Sequence, residues 1–209
     1  MPVSKSSSRP TVGRRERNKQ EKFDRIMAAA TTLFADHGVN DVTTQQIADL
    51  ADIGTGTLFL YARTKGELLL MVQNSKYARA LEAGEADSAN IDDPVGAIMA
   101  VLRPIVECNR SQVENGRTYL QEVVFGNPQE QHHAAALRIV AQTAQILADV
   151  FQRTGVAGGE EATVLTDLVQ ARMFLVMAVS GPDVAVGDVV GEIARSVEVL
   201  IDSRRRSGP

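Results

Sequence analysis

The residues with the clearest chemical use lie between Thr43 and Lys65, in the run TTQQIADLADIGTGTLFLYARTK. Hydroxyls, side-chain amides and two cations crowd together there. Hydroxyls and cations suit the oxygens of a phosphate backbone, whereas a neutral amide carries a donor and an acceptor that match the edge of adenine. On that chemistry Thr44, Thr57, Tyr61, Arg63 and Lys65 are candidates to hold phosphates and fix register. Gln45, Thr55 and Gly56 are candidates to read bases: Gln45 through its amide, Thr55 through its methyl, and Gly56 by letting the backbone come close. Arg14 and Arg15, in the basic segment upstream, are expected to reach phosphates or a minor groove, as homeodomain arms do.

Such groups need elements that hold them. Thr43-x-x-Gln46 fits a capping box, which satisfies exposed N–H groups at a helix start. Ile47, Ala48 and Ala51 then give that helix an apolar face. Asp52 falls in the turn, where a short polar side chain tolerates left-handed backbone. A second helix, Thr55 to Tyr61, turns Leu58 inward and is too short to stand without its neighbours. Two short helices at this spacing make a helix-turn-helix, whose second helix can enter a major groove. Thr64-x-x-Glu67 is a second capping box. It opens a further helix, expected over residues 65–84, with Lys65 at a start that favours phosphate oxygens. Upstream, Phe23, Ile26, Met27, Ala30, Leu33 and Phe34 line one face of a first helix over about 16–37, which Gly38 ends.

These blocks resemble the N-terminal domain of the tetracycline-repressor (TetR) family. The resemblance rests on the A-x-x-L-F-x-x-x-G run from Ala30 to Gly38, T-T-x-x-I-A from Thr43, G-T-L at Gly56 to Leu58, and K-x-E-L-L from Lys65 to Leu69. It covers about a quarter of the chain. The family's usual Gly in the turn is Asp52 here, its usual Tyr after Thr-Leu is Phe59, and its later aromatic is Ala62. Phe59 offers no hydroxyl to a phosphate, and Tyr61 is expected to supply one instead. The resemblance implies a ligand-responsive regulator, a repressor that leaves a palindromic operator on double-stranded DNA when a small-molecule effector binds. It also implies a C-terminal pocket, for which Met99, Arg103, Cys108, Tyr119, Phe125, Met173, Phe174 and Met177 are the candidate lining residues. Met-rich lining suits an adaptable apolar pocket, and Arg103 would suit an anionic ligand group.

The rest of the chain agrees with an all-α protein of about nine helices. Of 209 residues only 4% are aromatic and none is Trp. Residues 1–15 are expected to be a disordered basic arm, 16–64 the helix-turn-helix domain, and 65–206 a regulatory and dimerisation domain. The whole chain carries 22 Lys or Arg against 26 Asp or Glu, whereas residues 1–25 alone carry eight against three. A basic end on an acidic body is the charge distribution of a DNA-contacting domain joined to a regulatory one. Pro94 is expected in the first turn of a fifth helix, and Pro104 is expected to bend or interrupt it. The last two helices, about 160–179 and 187–205, are so apolar that a homodimer closed by this pair is expected.

Other chemistry is thin. The single Cys108 excludes an internal disulfide framework and suits a reducing cytoplasm. His132 and His133 are adjacent, so on a helix they diverge by about 100° and do not readily share a metal. No metal-ligand cluster, phosphate loop or nucleophile elbow is evident, so neither enzyme activity nor a cofactor is expected. No secretory signal and no membrane span are expected from the apolar runs. The alternatives are a helical partner-binding protein without DNA affinity and an enzyme housed in the C-terminal helices.

Overall fold

A computed structural model describes residues 13–207, and among these there are nine α-helices and no strand. α1 (Arg14–Asp41), α2 (Thr44–Leu50) and α3 (Thr55–Leu58) form the N-terminal unit. α4 (Lys65–Ser88) leaves it and runs into a body made by α5 (Pro94–Arg110), α6 (Val113–Phe125), α7 (Gln131–Arg153), α8 (Gly159–Val179) and α9 (Val186–Ser207).

Most of the expected arm, residues 1–12, lies outside the described residues. Arg14 and Arg15 do not belong to an arm. Gly13 is the N-cap, its carbonyl accepts the amides of Glu16 and Arg17, and the two arginines are the first turn of α1. At the other end Gly38 has φ 77° and breaks the helical run, so residues 39–41 form a separate turn. A side chain is excluded there twice over: the backbone is in glycine's region, and a Cβ would lie 2.5 Å from Glu114 Oε2.

The N-terminal unit closes on Ile26, Ala30 and Phe34 of α1, Ile47 and Ala48 of α2, and Leu58 of α3, all buried. Burying a side chain the size of Phe34 or Leu58 contributes about 1.5–3 kcal/mol. The seven- and four-residue helices are held by this core and not by their own bonds. α4 extends this core with Leu68, Leu69 and Leu70, which are completely buried.

α4 packs against α1, α5, α6 and α7 and so touches both units. It continues four residues past Gly84, its expected end. Gly84 serves packing instead: a Cβ there would sit 2.8 Å from the Val101 carbonyl oxygen of α5. Pro104 neither ends nor divides α5, which runs as one element from Pro94 to Arg110. At its last residue the Arg110 guanidinium donates to the carbonyls of Ser180 (2.9 Å), Gly181 (2.7 Å) and Val184 (2.8 Å). Those carbonyls close α8 and begin the turn to α9, and Arg117 joins Arg110 there by donating to the Ser180 carbonyl at 3.0 Å, so two cations satisfy this helix end.

α7 and α8 are long and apolar enough, by length and composition alone, to cross a membrane. Each nonetheless packs within the helical body. α8 buries Leu165, Val169, Met173, Val176 and Met177 there. Its other side leaves Val164, Leu168, Leu175 and Val179 between 52% and 65% exposed, with Ala171 and Ala178 exposed between them. α9 turns Val189, Ile193, Val197 and Ile201 inward.

Candidate functional site

The helix-turn-helix is built from caps. Gln46 N donates to Thr43 Oγ1 at 3.2 Å and Thr43 N donates to Gln46 Oε1 at 2.8 Å, which completes the expected capping box. Asp52 adopts φ 50° in the turn, the one left-handed non-glycine residue among those described. Its carboxylate meets Arg25 Nη1 at 3.1 Å, an exposed pair of small energetic worth. α3 is shorter than expected. After Leu58 the amides of Leu60 and Tyr61 bond three residues back, to Thr57 and Leu58, and the helix tightens into turns.

The expected DNA-contacting residues converge on this unit. Thr44, Thr55 and Thr57 are half-buried, while Gln45 and Gly56 are exposed. A Cβ at Gly56 would meet nothing within 4 Å, so no packing requires the glycine. Arg63 is exposed and reaches Glu130 at 3.4 Å. Lys65 was expected to be exposed but is half-buried, and its Nζ donates to the Asn40 carbonyl at 3.2 Å. Gln45 is not free either: Nε2 donates to Asp49 Oδ1 (2.7 Å) and Oε1 accepts from Thr55 (2.8 Å). The Tyr61 hydroxyl donates to the Lys19 carbonyl at 3.1 Å, and its ring lies 6.2 Å from that of Phe23.

Beside this face runs an open groove of about 1280 Å³, lined by Arg14, Arg15, Lys19, Lys22, Thr57, Leu60, Tyr61 and His132 among others. Lys19 and Lys22 are additions to the expected set. Their signal is legible afterwards: Arg15, Lys19 and Lys22 recur at four- and three-residue spacing along one face of α1.

The pocket candidates divide. Tyr119, Met173, Phe174 and Met177 line one small cavity of about 30 Å³, together with Tyr77, Ile105, Thr143 and Gln170. That volume is about one water's share of the liquid. The other four candidates are corrected. Arg103 is exposed, because the buried face of α5 passes through Leu102, Ile105 and Val106 and turns residue 103 to solvent. Phe125 ends α6 and is 82% exposed. Met99 is buried and Cys108 half-buried, but neither lines the cavity. The rings of Tyr77 and Tyr119 stack with centroids 4.3 Å apart. Burial pushes both phenol pKa values above the ordinary range, with the neighbouring Cys108 adding to the shift.

A polar chain leads from that cavity to the helix-turn-helix. The Tyr119 hydroxyl donates to Asn74 Oδ1 (3.0 Å), and Asn74 Nδ2 donates to the His132 carbonyl (2.8 Å). The His132 ring bonds through Nε2 to the Tyr61 carbonyl (3.0 Å). A carbonyl only accepts, so that nitrogen carries a proton. The buried carboxylate of Glu67 takes the amides of His132 (3.2 Å) and His133 (3.1 Å) and caps α7 from another helix. Sequence reasoning weighs these histidines as metal ligands and misses this role, since nothing local ties residue 67 to residue 132. Among the described residues no group of three or more His, Cys, Asp or Glu could hold a metal ion.

Residues 26–72 match the family model for bacterial regulatory proteins of the tetR family. The HTH-type transcriptional regulator RutR of Escherichia coli K12 is 28% identical over 121 residues, 56% of this chain and 55% of RutR. The chain thus spans about half the length of the curated relatives it matches. Thermus thermophilus FadR, a TetR-family transcriptional repressor solved with lauroyl-CoA, has a TM-score of 0.67 at 22% identity, over 85% of this chain and 92% of that one. AibR, solved with isovaleryl coenzyme A and operator DNA, has a TM-score of 0.59 at 15% identity, over 84% of this chain and 97% of that one. At such identities the two structures speak for the fold. The sequence of the tetR family of bacterial regulatory proteins is thus matched from α1 into α4, and the fold of solved members of that family runs through the body.

Proposed function

We propose that the protein is a dimeric, cytoplasmic transcriptional regulator that binds an inverted-repeat operator and leaves it when a small-molecule effector binds. The observation that carries this reading is the surface at the start of α3. Gly56 is open there between Thr55 and Thr57, Gln45 of α2 bonds Thr55, and a groove holding four cations runs alongside. Hydroxyls and cations fix the register on phosphates, and the open glycine lets a backbone approach base edges. The sign, repression, is taken from FadR. Regulation here needs binding alone, and no catalytic step is assigned.

A two-fold dimer suits the outer stripe of α8, since Val164, Leu168, Leu175 and Val179 meet the same residues of a second copy and leave water together. The Tyr77–Tyr119 cavity is the effector site in this reading. Its Met173, Met177 and Phe174 side chains repack to admit a ligand. An acyl thioester, the class that FadR and AibR hold, is the first to test. Displacement of Tyr119 reaches Tyr61 through Asn74 and His132.

Selection from random DNA with the full chain tests the reading, followed by gel shifts at low and high salt. An inverted repeat should be enriched, with affinity falling steeply as salt rises. A protein that enriches no sequence is a helical partner-binding protein and not an operator-binding one.

A further inference from the structure

The amide of Gln45 is held at both ends on an exposed surface. Nε2 donates to Asp49 Oδ1 at 2.7 Å, and Oε1 accepts from Thr55 Oγ1 at 2.8 Å. Asp49 lies one turn further along α2, and Thr55 opens α3. A side-chain amide left to itself presents oxygen or nitrogen to either side with little preference. The chemistry of these neighbours removes that choice. An ionised carboxylate only accepts, so nitrogen must face Asp49 and oxygen must face Thr55. Thr55 alone would not decide, because a hydroxyl donates or accepts as required. One N–H and one oxygen lone pair of Gln45 remain, the two groups that a bidentate contact with adenine N7 and its N6 amino group needs.

We propose that Asp49 is a specificity-determining positioning residue of the operator-binding surface, whose carboxylate fixes the Gln45 amide in the orientation that reads adenine. The proposal rests on the DNA-binding reading above. It carries a signature that ordinary phosphate contacts lack. A carboxylate near a phosphate backbone repels every sequence alike, so removing it favours DNA binding in general. Removing the lock that it provides acts on one base pair only. Affinity for arbitrary DNA and preference for the right base therefore move in opposite directions.

The experiment is selection from random DNA with the full-length parent and with Asp49→Asn, Asp49→Ala, Asp49→Glu and Gln45→Ala, followed by affinities for the parent's best sequence and for a random duplex. Asp49→Asn and Asp49→Ala should bind the random duplex at least as tightly as the parent. Both should lose about tenfold of adenine preference at one base pair per half-site, the scale of one bidentate contact. Asp49→Glu keeps a group that only accepts, whereas Asn can also donate, and should retain most of that preference. Gln45→Ala should abolish it, and adding Asp49→Asn to Gln45→Ala should change it no further. An enriched motif that Asp49→Asn leaves intact overturns the proposal alone. A uniform loss of affinity for all sequences also overturns it, since that marks a merely structural residue. If the parent enriches no motif, the DNA-binding reading falls first and this one with it.

Discussion

Polar side chains serve opposite purposes at the two ends of the α3–α4 connection. On the helix-turn-helix they bond over short separations and stay at the surface: Thr43 with Gln46, Gln45 with Asp49, Thr55 with Gln45. At the junction of α4, α6 and α7 they bond to partners 45 to 71 positions away in sequence and are mostly buried. The first set orients groups that an outside partner can use, and water can replace any one of them. The second set has no water to fall back on, so each lost partner costs the desolvation of the group left behind. Stability should therefore concentrate at the junction and recognition at the surface.

The hardest break is Glu67→Ala. It leaves two buried amides, those of His132 and His133, without acceptors, at about 1–3 kcal/mol each. Calorimetry should show Tm lowered by about 10 °C, on the scale of a few degrees per kcal/mol for a domain of this size. An unchanged Tm would place the junction among the dispensable contacts. Next comes the outer stripe of α8. Leu168→Glu combined with Leu175→Glu should halve the mass seen by light scattering, from about twice the 22.5 kDa chain to one chain, with helicity retained. Val197→Glu is no substitute, because Val197 is 2% exposed and its replacement damages the core.

Tyr119→Phe is gentler. It removes only the hydroxyl that donates to Asn74, at a cost of about 1 kcal/mol. It also has a pH signature. Burial raises the phenol pKa in the folded state, so the buried tyrosine contributes stability that is whole below the ordinary phenol pKa and fades as pH rises beyond it. Tm measured from about pH 9 upward should decline less steeply for Tyr119→Phe than for the parent. The smallest thermal effects belong to the surface. Gly56→Ala fills open space within a helix and should raise stability slightly, by at most about 1 kcal/mol, while weakening operator binding. Lys65→Ala should bind all sequences less well and lower the salt slope by about one unit. Should Gly56→Ala bind DNA as tightly as the parent, α3 does not bring its backbone to the bases.

The same contrast explains what can be read from sequence. Thr43, Thr64 and Pro94 announce helix starts within a few residues, and the capping box at Thr43 forms as its spacing predicts. Asp52 in its left-handed turn is legible for the same local reason. The cavity is legible only in part. Met173 and Met177 follow from the apolar run of α8, but Tyr77 of α4 and Thr143 of α7 come from helices whose rotation depends on neighbours far along the chain. Arg103 and Phe125 are misplaced because side-chain type carries no information about helix phase. Arg14 and Arg15 are misassigned to an arm because charge density resembles disorder until Gly13 is seen to start a helix.

The cap that Glu67 places on α7 has a consequence in hydrogen exchange. The first amides of a helix have no intrahelical acceptor and ordinarily exchange with solvent quickly. Here the amides of His132 and His133, the second and third residues of α7, are bonded to a buried carboxylate supplied by α4. They can exchange only when α4 and α7 separate. Their protection factors therefore measure the opening of the joint between the two units, at a helix end where no protection would otherwise be looked for. A molecule that works by loosening that joint should accelerate these two amides while the centre of α7 stays protected.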